Sequence, residues 1–128
     1  VFLPYVATND TPLWWLAQHG LSTNDAGALA DTDSDGCTNW QEYIAGTDPT
    51  NRASRFAVRS VTAAGDGIRL AFPGASNRAY DVECRSDLLD TNGWRLLVNT
   101  TSVSNVVLEV TDPEKGSKRF YRIRARLQ

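Results

Sequence analysis

The run Asp31-Thr32-Asp33-Ser34-Asp35-Gly36-Cys37-Thr38-Asn39-Trp40-Gln41-Glu42 constrains this chain more than any other segment. Carboxylates stand at its first, third and fifth places, glycine at the sixth, an amide at the ninth and a glutamate at the twelfth. That spacing is the pattern of a calcium loop. Calcium is a hard cation that takes about six to eight oxygens at ~2.3–2.6 Å. Alternating Asp31, Asp33 and Asp35 turn three oxygens to one side of a tight loop, and Gly36 permits the sharp turn. Cys37 lends only its backbone carbonyl, Asn39 ligates directly or through water, and Glu42 closes the site with both oxygens. The expected metal ligands are therefore Asp31, Asp33, Asp35, Cys37, Asn39 and Glu42, and the expected cofactor is Ca2+. The competing reading is an acidic turn before a helix, where carboxylates are favourable in any case. Six matches at fixed spacing favour the ion.

Helical signals flank the loop. Thr11-Pro12 supplies a hydroxyl cap and then proline in the first turn, where its missing N–H costs nothing. The helix continues through residues 13–19 and Gly20 ends it. Leu13, Leu16, Ala17 and Gly20 share one face, and residues 21–30 read as a polar connection with a turn at Asn24-Asp25. A second helix is expected from about Asn39 to Ala45, with Trp40, Tyr43 and Ile44 as its apolar stripe and Gly46 as its stop. Residues 47–51 then form a turn and boundary.

After Ser54 the apolar period changes to two. Strands are expected near residues 55–61, 67–72, 79–85, 94–99, 105–111 and 119–127. Turn signals separate them: Gly65-Asp66-Gly67, Pro73-Gly74, Asn92-Gly93, Asp112-Pro113 and Lys115-Gly116. In the last strand Tyr121, Ile123, Ala125 and Leu127 face in, while Arg122, Arg124 and Arg126 face out. The fold class expected is mainly β: an antiparallel β-sandwich at residues 55–128 with a small helical calcium-loop module at residues 1–54. Charge divides the same way. Residues 1–54 carry seven acidic side chains against Arg52, a net of −6, whereas residues 55–128 carry twelve basic and eight acidic, a net of +4.

Residues 12–51 resemble a bacterial thrombospondin type 3 repeat and are similar to one half of a dockerin. The likeness lies in Trp14-Trp15-Leu16, in the Asp31-to-Glu42 core and in the Gly46-Thr47-Asp48-Pro49 end. It implies one calcium held by Asp31, Asp33, Asp35, the Cys37 carbonyl, Asn39 and Glu42, and an extracellular location. A dockerin has two such units where this chain has one. An EF-hand has a helix directly before its loop, whereas the helix expected here ends at Gly20, about ten residues early. Further on, residues 80–88, Trp94 and Phe120-Tyr121-Arg122-Ile123 resemble the fibronectin type III-like C-terminal sandwiches of large secreted bacterial proteins. That resemblance implies fold and location more than activity.

Several function classes recede. With one histidine and two cysteines the chain has too few ligands for a zinc site and no recognisable triad. Its clustered carboxylates are accounted for by calcium, so no catalytic residue is assigned and the chain is not expected to be an enzyme. An acidic chain without an RNA-type aromatic motif is a poor nucleic-acid binder, and no apolar run is long enough to cross a bilayer. The chain begins at Val1 without methionine and reads as a mature form or a fragment of a longer protein.

The expected function is that of a secreted, non-catalytic accessory module with structural calcium. The alternatives are a carbohydrate-binding domain of a polysaccharide-degrading enzyme and a dockerin-like protein-interaction module; the candidate partners are polysaccharide or another domain of the parent protein. Of the four tryptophans, Trp15 is the best candidate for an exposed ring and the others read as packing residues. The outward arginines read as a solvated face, or as a strip for sulfated or uronic sugars. Cys37 and Cys84 are either a disulfide or two thiols.

Residues 50–54 make a short linker without Gly-Ser repeats, and opposite net charges favour docking of the two parts. The expectation is one cooperative calorimetric transition in calcium, with residues 1–54 unstable when expressed alone. Two well-separated transitions, or a folded isolated fragment, would show independence.

Overall fold

The structure, a computed structural model, describes residues 5–89, 91, 93–114 and 119–128. Among the expected turn signals, Asn92, Lys115 and Gly116 lie outside those residues. The chain is mainly β with antiparallel sheets and divides into two units, Val1–Phe56 and Ala57–Gln128.

The first unit begins with a hook held by one carboxylate. Strands β1 (Val6–Ala7) and β2 (Thr11–Pro12) pair antiparallel across a tight turn in which Asn9 and Asp10 take left-handed backbone angles. Asp25 Oδ1 fixes the turn by accepting from both the Thr8 N–H and its hydroxyl at 2.9 Å. Thr11, expected to cap the next helix, does not. It is fully buried, and its hydroxyl donates to Thr8 O at 2.7 Å, so it braces the hook instead.

Helix α1 (Leu13–Gln18) stops where expected, at Gly20, whose φ of 71° is the left-handed region that glycine enters without strain. Its buried face differs from the expected one. Trp15 is 8% exposed and Trp14 is 64% exposed, the reverse of the expected assignment. The Trp15 ring lies 5.3 Å from Tyr43 and 4.7 Å from His19, so aromatic packing has turned the stripe to Trp15 and Leu16 and left Ala17 outside.

Residues 21–30 also depart from expectation. Helix α2 (Asp25–Leu29) forms there, because Asn24 acts as an N-cap: its side-chain oxygen accepts from Gly27 N–H at 2.9 Å. A helix therefore does stand directly before the loop. The ten-residue gap expected from the sequence is corrected to helix, loop, helix. Helix α3 (Asn39–Ala45) follows, closed by Gly46 at φ 78°. Gly46 and Thr47 N–H both donate to Glu42 O, at 2.8 and 3.0 Å, satisfying a carbonyl the helix end would orphan.

The second unit holds two antiparallel three-stranded sheets. One has the order β3 (Ser60–Ala64), β4 (Gly67–Pro73), β7 (Val107–Asp112); the other has β6 (Arg95–Ser102), β5 (Arg78–Arg85), β8 (Phe120–Leu127). The first strand lies later than expected. The two-residue turn Gly65-Asp66 pairs Ala64 with Gly67, and register then counts backwards from that turn to Ser60. The two central strands carry the core: Leu70 and Phe72 from β4 and Tyr80, Val82 and Cys84 from β5 are fully buried. Phe72 and Tyr80 meet edge to face at 5.3 Å, and the Tyr80 hydroxyl accepts from Ala75 N–H at 2.6 Å.

A buried charge cluster joins the two sheets. Asp112 on β7 is 1% exposed, and its Oδ2 accepts from Arg119 Nε at 3.0 Å and from the Tyr121 hydroxyl at 2.6 Å. Arg119 also reaches Cys84 Sγ with Nη2 at 3.0 Å. Burial works against the Asp112 charge, but the Tyr121, Glu114 N–H and Arg119 bonds outweigh it and hold the carboxyl below its usual range. Burial and Asp112 together push the Tyr121 phenol up to about 12.

Asp112→Ala leaves the Arg119 charge buried and unpaired, so equilibrium unfolding should show a loss of ~3–5 kcal/mol. A folded-state pKa below the unfolded 3.8 means this contribution is present above that pH and lost as pH falls through the lowered value. A loss under ~1 kcal/mol would show that the cluster does not join the sheets energetically.

Candidate metal centre

The loop between α2 and α3 is shaped by its own aspartates. Asp31 Oδ1 accepts from Asp35 N–H at 3.2 Å and its Oδ2 from Gly36 N–H at 2.9 Å, while Asp35 Oδ1 accepts from Cys37 N–H at 2.9 Å. Ser34 and Gly36 sit at φ 59° and 95°. A Cβ on Gly36 would meet nothing within 4 Å, so backbone angle and not space is what demands glycine there. One oxygen each from Asp31, Asp33 and Asp35 fall within 4.8 Å of one another. Two oxygens bound to one calcium can be no farther apart than twice the bond length, ~4.6–5.2 Å, so the spacing fits.

Glu42 lies outside that grouping of three, yet it is only 2% exposed and its charge is felt by the same aspartates. Its Oε1 accepts from the Thr47 hydroxyl at 3.3 Å. Asn39 is fully buried; Nδ2 donates to Gly27 O at 2.8 Å and to Thr32 Oγ1 at 2.9 Å, and its backbone N–H donates to Ala30 O at 2.8 Å. Cys37 is exposed.

The decisive feature is what remains unpaired. Both oxygens of Asp33, Oδ2 of Asp35, Oδ1 of Asn39, Oε2 of Glu42 and, outside the expected ligands, Oγ1 of Thr38 are closed to solvent and have no hydrogen-bond partner. Native proteins rarely leave buried polar atoms unsatisfied, and each such group calls for an explanation. Four of the six residues expected as ligands supply five of these six atoms. The electrostatics agree: burial first, then Asp33 and Asp35, push the Glu42 carboxyl from 4.5 up to about 8. Burial and then Asp35 raise Asp33, and burial and then Asp35 raise the Cys37 thiol. A cation among these oxygens would reverse the first two shifts.

Gly27, Thr32 and Thr47 support the ligands and do not belong to the loop pattern. Thr47 is visible in sequence only as part of the Gly46-Thr47-Asp48-Pro49 end. Gly27 leaves the faintest signal, a glycine inside a short helix; a Cβ there would lie 1.8 Å from Ser22 O.

The outward arginines of β8 are engaged within their own sheet. Arg122 Nε lies 2.7 Å and Arg124 Nη1 3.9 Å from Glu83 Oε1, and Arg126 Nε lies 3.4 Å from Asp81 Oδ2. Glu83 and Asp81 are the direct cross-strand partners of Arg122 and Arg124, so register places these charges together. Trp94 has two guanidiniums over its ring, Arg122 at 4.7 Å and Arg85 at 5.4 Å. Both cysteines are free thiols, Cys37 exposed and Cys84 buried. No known protein family, curated protein or solved structure matches this chain.

The Glu42 shift sets a pH dependence for the ion-free protein. A carboxyl near 8 when folded and 4.5 when unfolded makes the folded state the stronger proton binder between those values. Its contribution is therefore present below 4.5 and lost as pH rises through 8. In a calcium chelator the melting temperature should fall between about pH 5 and pH 8, and Glu42→Gln should flatten that slope. A chelated wild type that grows more stable over the same range would contradict the assignment.

Proposed function

We propose that the first unit binds one calcium ion through Asp31, Asp33, Asp35, the Cys37 carbonyl, Asn39 and Glu42, and that the ion is structural. The observation that carries this is the set of five buried, unpartnered oxygens from four of those residues. Calcium suits the set because every donor is oxygen and several are carboxylates. Zinc would favour nitrogen and thiolate, and the single nearby thiol has its pKa raised, by burial first and then by Asp35, which disfavours the thiolate. Magnesium keeps several waters and prefers fewer protein oxygens.

A structural role follows from the core of this unit. Beside Trp15, Leu16, Ala28 and Pro49, it buries the polar Thr11, Asn39 and Glu42. So small and polar a core gains little from apolar burial, and ion binding supplies what it lacks. We read the second unit as a sandwich of the fibronectin type III-like kind, with Phe72 of one sheet against Tyr80 of the other. The whole is then a calcium-stabilised accessory module of a secreted protein, in the manner of a thrombospondin type 3 repeat.

A second reading, carbohydrate binding, draws on one feature. An open cleft of about 410 Å³ is lined by Asn99, Thr100, Thr101 and Arg126, all able to hydrogen-bond a sugar. A glycan array on the calcium-loaded protein tests it, with binding to uronic or sulfated chains as the supporting result.

Calcium at ~100 times its Kd should stabilise the protein by ~2.7 kcal/mol over the chelated form. Glu42→Gln should remove most of that gain. Calorimetry showing the same melting temperature with calcium and with chelator would overturn the proposal.

A further inference from the structure

Helix α2 contributes none of the expected ligands, yet its carbonyls hold one of them. Asn39 Nδ2 has two hydrogens, and both are used, on Gly27 O at 2.8 Å and on Thr32 Oγ1 at 2.9 Å. Its backbone N–H takes Ala30 O at 2.8 Å. A flipped amide would set its oxygen against the Gly27 carbonyl, so the donors fix which end of the amide is Oδ1. That oxygen is left buried and unpartnered. The Gly27 carbonyl is itself placed by close packing, since Gly27 has no room for a Cβ beside Ser22 O. Asn39 therefore caps the C-terminal end of α2, begins α3 and keeps one buried oxygen without a partner.

We propose that Gly27 O and Thr32 Oγ1 are positioning groups for calcium, holding Asn39 Oδ1 in direct contact with the ion and making helix α2 part of the site. The inference rests on the calcium reading and adds a requirement to it. Position 39 must be an amide and not a carboxylate. Aspartate would bring more charge to the ion but has no hydrogen to give Gly27 O or Thr32 Oγ1, and would face that carbonyl with an oxygen. A loop in which this place acts by charge, or through a water, would favour aspartate.

The experiment uses the full chain with Tb3+ as a luminescent substitute for calcium, excited through tryptophan. Emission lifetimes in H2O and D2O count the waters on the ion, and calorimetric titration gives calcium affinity. Asn39→Ala should add one bound water. Asn39→Asp should weaken calcium binding in spite of its charge. Thr32→Val, a change of shape-matched side chains at an exposed position, should weaken binding about tenfold, as loss of a ligand's supporting hydrogen bond does, and Thr32→Ser should restore it. Tighter binding by Asn39→Asp, an unchanged water count in Asn39→Ala, or wild-type affinity in Thr32→Val would overturn the proposal while leaving the calcium reading intact. Absence of sensitised emission and of calcium heat in the wild type would overturn both.

Discussion

Like charges held at close range are the constraint on which the first unit depends. Asp31, Asp33 and Asp35 bring oxygens within 4.8 Å of one another, and the buried Glu42 adds a fourth carboxylate to their field. In water these groups would separate. The caps at Asn24 and Gly46 and the amides given to Asp31 and Asp35 fold the backbone so that they cannot. A bound cation would turn that repulsion into attraction, which is the role proposed for calcium.

The second unit shows the same chemistry resolved within the chain. Asp112 and Glu42 are about equally inaccessible, at 1% and 2% exposed. The carboxyl of Asp112 is held below its usual range, and that of Glu42 is pushed up to about 8. Burial opposes the charge in both. Asp112 has Arg119 and the Tyr121 hydroxyl to offset it, whereas the neighbours of Glu42 include three aspartates and one threonine hydroxyl at 3.3 Å. The partner that Asp112 finds in the sequence is what the proposed calcium would give Glu42.

How much of this could be read from residues alone follows from the range of each interaction. The loop, α3 and its stop at Gly46 rest on spacing within about one helical turn, and sequence shows such signals directly. The alternation of β8 was equally visible because Tyr121, Ile123 and Ala125 are half-buried between exposed arginines, although Leu127, expected on the same face, is exposed. What escaped depends on distant partners. Five residues of α2 are too few to show an apolar period, and its cap at Asn24 reads equally well as a turn. Trp14 and Trp15 are neighbours of identical chemistry, and it is Tyr43 on α3, together with His19 one turn along α1, that decides which is buried. Residues 55–59 alternate as well as 60–64 do, and the turn at Gly65-Asp66 chose between them. The support that Gly27 and Thr32 give Asn39 is a tertiary contact that no spacing rule encodes.

Native mass spectrometry of the intact chain, dialysed against calcium and then freed of excess salt, tests the central claim most directly. The account predicts one calcium per chain, and none on Asp33→Ala, which deletes two of the five buried unpartnered oxygens that the expected ligands supply. A wild-type chain that carries no calcium, or an Asp33→Ala chain that carries it as fully as the wild type, would contradict it.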